Sequence, residues 1–418
     1  MQAPYSELTD VPRISLLDPD HASRYPNLNE KCGPGPPGDP SRRAYESLFL
    51  GLRRLRTDHQ SGAKELATSA LEILLSTANA WAECIEMFAN SEEKPQCVDL
   101  LAIWWYAARK IGWVLGRYGR VSMGAAVTAV IIRALEAVER ELETSSNKDQ
   151  LAMIRSGVVT LRRQLEARKG ATAHQMAAAL AQLIRERAIL HHTGEANNRF
   201  KILTLSYSST IRNALDTMFR IAFENGETVP HIILRILESR PLYEGVRMAR
   251  ALVQSAHANG YHDKLQIEIA TDSSVALLAR DADLVLLGAD RISSDGDVSN
   301  KIGSLPVALC ARAASTPAVV AALSEAEKIA RPGSMDDHRP EENDPCELSA
   351  AWDLQNKLDL SPEVWNSSVT VRNVYFEWVP AQYIDVYICE DGRLLRDEIE
   401  ARSQKVLEAE RRMFACFE

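Results

Sequence analysis

The sequence predicts an α/β protein, a helical N-terminal domain followed by a Rossmann-like doubly wound parallel-sheet domain. Two changes of pattern along the chain lead there. From about residue 43 to 192 the apolar residues recur at helical spacing, and from residue 198 they gather into short β-rich runs, most of them separated by helical stretches. Composition sets the scale: 418 residues with 46% hydrophobic content suffice for two domains with real cores.

Residues 1–42 are rich in Pro, Gly, Asp and Ser and run into KCGPGPPGDPSRR. Such a stretch buries too little apolar surface to offset its ordering entropy, so a disordered arm is expected. The helical domain is assigned to 43–197. In KELATSALEILLSTANAWAECIEMF the apolar positions 67, 70, 71, 74, 78, 81, 85 and 88 share one face, as do Val127, Ile131, Leu135, Val138 and Leu142 in the helix after Ser122. Amphipathic runs near 149–168 and 172–190 complete it.

The Rossmann-like domain is assigned to 198–392. FKILTLSYS, HIILRILES, LQIEIATDS, LVLLGAD, AVVAAL and VYFEWVP read as strands, with TIRNALDTMFRIAFENG and LYEGVRMARALVQSAHANG as crossover helices. Strands alternating with helices specify a parallel sheet covered on both faces. RPGSMDDHRPEENDP, residues 331–345, reads as a disordered insertion, and 393–418 as a C-terminal helix.

The formal net charge of −9 argues against direct nucleic-acid binding, because no domain-wide basic balance collects phosphates. The seven cysteines, at 32, 84, 97, 310, 346, 389 and 416, form no CxxC and no His/Cys cluster, which suits a reducing compartment. His191 and His192 read as a solvated helix end. No metal and no cofactor is therefore expected. The first twenty residues lack a basic segment followed by an apolar run, and no run of about 18 apolar residues offers a membrane span, so a cytoplasmic protein is the expectation.

In an open parallel sheet, ligands gather at the carboxyl ends of the strands. Four ends bring polar groups there: Thr204 to Ser209, Glu238-Ser239-Arg240-Pro241, Thr271 to Ser274, and Asp290-Arg291. Ser206, Ser208 and Asp272 serve equally well as helix N-caps. Asp290 stands out because Gly288 and Ala289 before it let a ligand approach, and a partly desolvated carboxyl can be kept as an acid. Asn300-Lys301 reads as the opening of a helix, where an ammonium and the helix N-terminus together would attract an anion.

GADRISSDGDVSNKIGS, ESRPLYEG and KILTLSYSS, with PEVWN and FEWVPAQYIDVYICEDG further on, resemble one family. It comprises 5-methylthioribose-1-phosphate isomerases, ribose-1,5-bisphosphate isomerases and the alpha, beta and delta regulatory subunits of translation initiation factor 2B. The resemblance covers about 198 to 392 in order; RVSMGAAV (120–127) and SGAKELA (61–67) are its counterparts in the helical domain. It implies the same fold, a helical domain followed by a Rossmann-like one. In the isomerases, an aspartate and a cysteine shift a proton between carbons of a pentose 1-phosphate. Asp290 matches the aspartate and Ser206 stands at the cysteine position, a far poorer base than a thiol. Glu244 replaces the isomerases' glutamine, a choice shared with many initiation-factor subunits, and a carboxylate beside a phosphate needs a partner. The isomerases' RGA motif is replaced by Ser61-Gly62-Ala63, with Arg120 as a substitute for its charge. Arg120, Arg240, Glu244, Asn300 and Lys301 are thus the ligand-binding candidates, Asp290 and Ser206 the catalytic ones.

Two functions follow from the resemblance. One is an initiation factor 2B-related protein that binds a phosphorylated sugar or nucleotide and works by association, as a homodimer or in a hetero-oligomer with other initiation-factor subunits in translation initiation. The other is an aldose–ketose isomerase, an intramolecular oxidoreductase, on a pentose 1-phosphate of methionine salvage or nucleotide-sugar metabolism. Plain dinucleotide binding ranks below both, since no GxGxxG follows the first strand.

Overall fold

The structure, a computed structural model, describes residues 15–17, 40–58, 61–91, 98–169, 174–191, 199–226, 229–333, 342–352 and 367–417. The chain divides into two compact units. The first comprises Met1–Ala171, Ile329–Pro332 and Ser403–Glu418, the second Thr172–Lys328 and Gly333–Arg402. Most of the expected arm at 1–42 and the middle of the insertion at 331–345 lie outside the described residues.

The first unit is built from α1 (Pro40–Thr57), α2 (Ala63–Ala89), α3 (Leu100–Tyr118), α4 (Gly124–Thr144) and α5 (Gln150–Lys169). The apolar stripe of α2 is the buried one: Ala67, Ala70, Leu71, Leu74, Ala78, Trp81, Ile85 and Phe88 all lie inside. Val127, Ile131, Leu135 and Val138 of α4 are buried too, while Leu142 is half-buried near its end. Trp104 of α3 is fully buried and satisfies its indole N–H by donating to the Ala78 carbonyl at 3.1 Å. Asp99 caps α3 by accepting from the Ala102 amide at 2.9 Å. Val121–Thr144 is long and apolar enough to cross a membrane by length and composition, yet most of it is buried within the protein.

The second unit opens with α6 (His174–His191), which the sequence pattern groups with the helical domain. Its apolar residues Met176, Ala177, Leu180, Leu183 and Ile184 instead share a core with Phe200, Ile202, Ile211 and Leu215, on the sheet. Amphipathic spacing reports that a helix has a buried face but not which partner covers it. The elements that follow are β1 (Arg199–Leu205), α7 (Ser209–Asn225), β2 (His231–Leu237), α8 (Glu244–Asn259), β3 (Leu265–Ala270), α9 (Val275–Ala279) and β4 (Leu284–Gly288). After them come β5 (Arg291–Ile292), β6 (Val298–Lys301), α10 (Ser304–Ala313), β7 (Val319–Leu323), α11 (Pro345–Ser349), β8 (Phe376–Val379), β9 (Val386–Cys389), β10 (Gly392–Leu394) and α12 (Arg396–Phe414), of which the residues from Ser403 on belong to the first unit.

The main sheet has the order β10-β9-β7-β4-β1-β2-β3, parallel except for β10 on its edge. The fold is therefore a helical N-terminal region followed by a mostly parallel α/β sheet. Every residue of β4 is buried, as the centre of a doubly covered sheet requires. Two expectations need correction here. Asn300 and Lys301 do not open a helix; they end β6, and α10 begins three residues later at Ser304. Residues 376–379 do not join the main sheet, but pair antiparallel with β6, Lys301 opposite Phe376, in a three-stranded sheet with β5. The ends of the presumed insertion are also structured: Glu342 bridges Val374, and Asp344 caps α11 by accepting from the Cys346 amide at 2.8 Å.

Candidate functional site

The chain runs from β1 outward through β2 and β3, then returns to start β4 on the other side of β1. Loops leaving β1 and β4 thus turn away in opposite directions, and a crevice opens between them at their carboxyl ends. Ser206 follows β1 and Asp290 follows β4, so the two catalytic candidates flank this switch point. Gly288 closes β4 without a side chain; a Cβ there would lie 3.2 Å from both Ser208 Oγ and Asn300 Oδ1, tighter than ordinary contact.

The turn after β1 is held in an uncommon conformation. Ser206 has φ +63° and Ser239, after β2, has φ +59°, in the left-handed region that side chains other than glycine's seldom adopt. The two are tied together, since the Ser206 amide donates to Ser239 Oγ at 2.7 Å. Asp272, after β3, accepts from the amides of Ser239 and Arg240, each at 2.8 Å. Its carboxylate thereby fixes the β2 loop from the neighbouring strand end rather than capping a helix. Ser208 does act as the N-cap of α7, accepting from the Ile211 amide at 3.2 Å.

Lys301 and Glu244 meet in this turn region. Lys301 Nζ lies 2.6 Å from Glu244 Oε2, with only 5% and 11% of the two side chains exposed. The ammonium also sits 4.3 Å from the Tyr375 ring centroid, a cation–π arrangement in a desolvated place. Ser206 Oγ is 3.5 Å from the same Glu244 oxygen, at the limit of a hydrogen bond. The carboxylate that would disfavour a phosphate is thus neutralised by the lysine expected to bind one.

The amino end of α10 is likewise occupied, by a residue that sequence reasoning missed. Glu377 Oε1 accepts from the Gly303 amide at 2.6 Å and the Leu305 amide at 3.0 Å. No periodicity marks it, because it reaches the helix from β8, 72 residues away from Leu305 in the chain. Burial pushes the Glu377 carboxyl above the ordinary glutamate value, against the pull of the Leu305, Gly303 and Ser304 amides. A carboxyl raised in the folded state stabilises the fold most at low pH, and that contribution is lost as pH rises through the raised value. Glu377→Gln keeps an acceptor for the amides, so it is expected to be at least as stable as the parent at neutral pH. As the pH falls through the raised value it should lack the parent's acid-side gain, which urea midpoints measured from neutral to acid pH will read.

Asp290 is half-buried, and its amide donates to the Ser299 carbonyl at 2.9 Å. Beyond it, at the end of β7, lies a second buried ion pair, Lys328 Nζ to Glu325 Oε2 at 2.9 Å. Burial works against the Lys328 ammonium, but Glu325, Asp290 and Glu327 together hold its pKa above the ordinary lysine value. Thr210, at the start of α7, donates to the Glu325 carboxylate at 3.0 Å. Asp290 therefore lies within electrostatic reach of a buried lysine, paired with Glu325, that the sequence reading did not assign to the crevice.

The second unit thus brings together Ser206, Glu244 and Lys301 in contact, Arg240 on the clamped β2 loop, and Asn300 behind Gly288. Asn300 Nδ2 donates to Ser304 Oγ at 2.9 Å, and Asn300 is 7% exposed, so it braces the β6–α10 turn. Arg120 belongs to the first unit, where it is buried and donates to the Asp58 carbonyl at 2.7 Å.

The model of the Initiation factor 2 subunit family matches residues 114–395. Among curated relatives, a ribose 1,5-bisphosphate isomerase of Archaeoglobus fulgidus is 31% identical over 178 residues, 43% of this chain and 50% of that protein. A methylthioribose-1-phosphate isomerase of Desulfitobacterium hafniense is 28% identical over 304 residues, 68% of this chain and 81% of that protein. The eIF-2B subunit 2-like protein of Pyrococcus furiosus is 30% identical over 194 residues, 46% of this chain and 57% of that protein. The match spans about half the length of the ribose 1,5-bisphosphate isomerase and of the eIF-2B subunit 2-like protein. Of solved structures, the 5-methylthioribose 1-phosphate isomerase of Pyrococcus horikoshii superposes with TM-score 0.52 at 18% identity, over 86% of this chain and 87% of that one. A chain of the tetrameric eIF2B-beta2-delta2 complex from C. thermophilum gives 0.50 at 16%, over 88% and 95%. At such identities the likeness to the solved structures concerns the fold.

Proposed function

Since the chain belongs to the Initiation factor 2 subunit family, we propose that it binds a phosphorylated sugar or nucleotide in the β1–β4 crevice and acts mainly through protein association. The observation that carries this reading is the state of the Ser206 side. A hydroxyl occupies the position of the resembled cysteine, and the carboxylate 3.5 Å from it is already engaged by Lys301 at 2.6 Å. A serine without a neutral, available base is a weak proton carrier, whereas hydroxyl, carboxylate and guanidinium groups at a crevice still serve binding. Association would take the form of a homodimer, or of a hetero-oligomer with other initiation-factor subunits.

The isomerase reading stays as the second because Ser206 and Asp290 stand at the ends of adjacent strands, where a sugar could lie between them. In it Asp290 is the proton carrier and Ser206, or water beside it, the second shuttle. One set of experiments separates the two. Calorimetry with pentose 1-phosphates and nucleoside monophosphates should show binding, only mildly weakened by Asp290→Asn, while coupled assays of ketose formation stay near background and sedimentation shows a dimer. Turnover of about 1 s⁻¹ or faster that collapses in Asp290→Asn would replace the binding reading with the isomerase. Absence of binding by every ligand of both classes, with a clean monomer, would remove the binding reading altogether.

A further inference from the structure

Lys301 and the amino end of α10 each face a carboxylate of this chain, so neither offers an unopposed charge to a ligand. The β1–β2 side of the same crevice differs. Arg212 lies in the first turn of α7, Arg240 in the loop after β2 and Arg247 in the first turn of α8. The guanidinium carbons of Arg212 and Arg247 lie 5.9 and 5.4 Å from the centroid of Tyr207, the residue after Ser206, and that of Arg240 lies 5.3 Å from Tyr243.

These charges are poorly matched within the chain. Among the described residues no carboxylate pairs with Arg212 or Arg240, and the Arg247 guanidinium comes no nearer to one than 4.0 Å, at Glu244, which Lys301 already neutralises. Arg212 donates through Nη2 to Asn213 Oδ1 at 2.9 Å, yet its Nε is buried without a hydrogen-bond partner. A cation in the first turn also opposes the helix dipole. In α7 no acidic residue of the first turn offsets it, the kind of local inconsistency found at functional sites; the first turn of α8 carries Glu244 beside Arg247, but Lys301 already engages that carboxylate. Arg247 and Tyr243 are open to solvent, with the Arg247 side chain 48% exposed and Tyr243 40%.

We propose that Arg212, Arg240 and Arg247 form the phosphate-binding subsite of the crevice. Guanidinium groups suit phosphate oxygens through paired N–H donors, and their cation–π contacts with Tyr207 and Tyr243 help to hold them in place before the ligand arrives. The remainder of the ligand would extend toward Ser206 and Asp290; for that sugar end, the inference rests on the function proposed above.

The test is calorimetric titration of the full chain with inorganic pyrophosphate and, separately, with ribose 1-phosphate. Pyrophosphate should bind, and Arg212→Gln combined with Arg247→Gln should weaken it roughly 10- to 100-fold, the effect of losing charge-assisted contacts. The rise in melting temperature that pyrophosphate causes should shrink in parallel. Arg247→Gln alone changes an exposed side chain and should still cost about tenfold, so a double variant that folds poorly leaves the question answerable. Unchanged pyrophosphate affinity in these variants, or no pyrophosphate binding by the parent at millimolar concentration, overturns the subsite. If pyrophosphate binds in an arginine-dependent way and ribose 1-phosphate does not bind, the subsite stands while the ribose ligand is struck from the proposed function. If ribose 1-phosphate binds equally well with and without the arginines, the subsite falls and the proposed function stands.

Discussion

Lys301→Met is expected to destabilise the α/β unit by roughly 3–5 kcal/mol, the usual consequence of removing one partner of a buried ion pair. Lys301 and Glu244 are almost entirely inside, 2.6 Å apart, and Glu244 has only the distant Arg247 and the marginal Ser206 hydroxyl to turn to. The loss comes mainly from the carboxyl left without its ammonium, so Glu244→Gln in the Lys301→Met background should recover much of it. Urea unfolding of the four members of that cycle gives the coupling directly. A single-variant loss below about 1 kcal/mol, the range of exposed pairs, would mean that the two groups are solvated. The same experiment bears on function: a lysine engaged in holding the fold together is a poor candidate for the main phosphate ligand.

Gly245→Ala is expected to be of similar size, about 3 kcal/mol or more, and for a steric reason. A Cβ on Gly245 would lie 3.0 Å from the Leu237 carbonyl carbon and nearer still to its oxygen, on the last residue of β2. That atom belongs to the backbone of a strand paired on both sides and cannot swing aside. Gly226→Ala provides the contrast: it has φ +66° but nothing within 4 Å of an added Cβ, so only the conformational cost of about 1 kcal/mol applies. Comparing the two by thermal unfolding separates crowding from backbone strain. Near equality would show that α8 can shift away from β2.

The closing glycine of ESRPLYEG therefore has a physical explanation in the close approach of α8 to β2. Other features of the motifs are explained less directly by the local sequence. Asn300-Lys301 looks like a helix opening because a glycine and a serine follow, and Gly303 does introduce α10, at φ +101°. The error of a few residues arises because Val298–Lys301 is held as a strand by Phe376–Val379. No local propensity announces such a distant partner. Arg120 shows the same limit in a different form. Its resembled motif points to a ligand role, and the donation to the Asp58 carbonyl, 62 positions away, is a contact that motif does not announce.

Whatever depends on spacing along the chain was legible in the sequence. The buried stripe of α2, the burial of β4, the alternation that makes the main sheet parallel, and the placement of Ser206 and Asp290 at strand ends all follow from periodicity and local chemistry. The tertiary structure alone decided which distant partner a buried charged group meets. Glu244 and Lys301 are separated by 57 positions in the numbering and Gly303 and Glu377 by 74, yet each pair is in contact. The reason is electrostatic: a charge removed from water must be matched by whichever opposite charge or dipole the fold brings near, and that match depends on position in space, not on order in the chain.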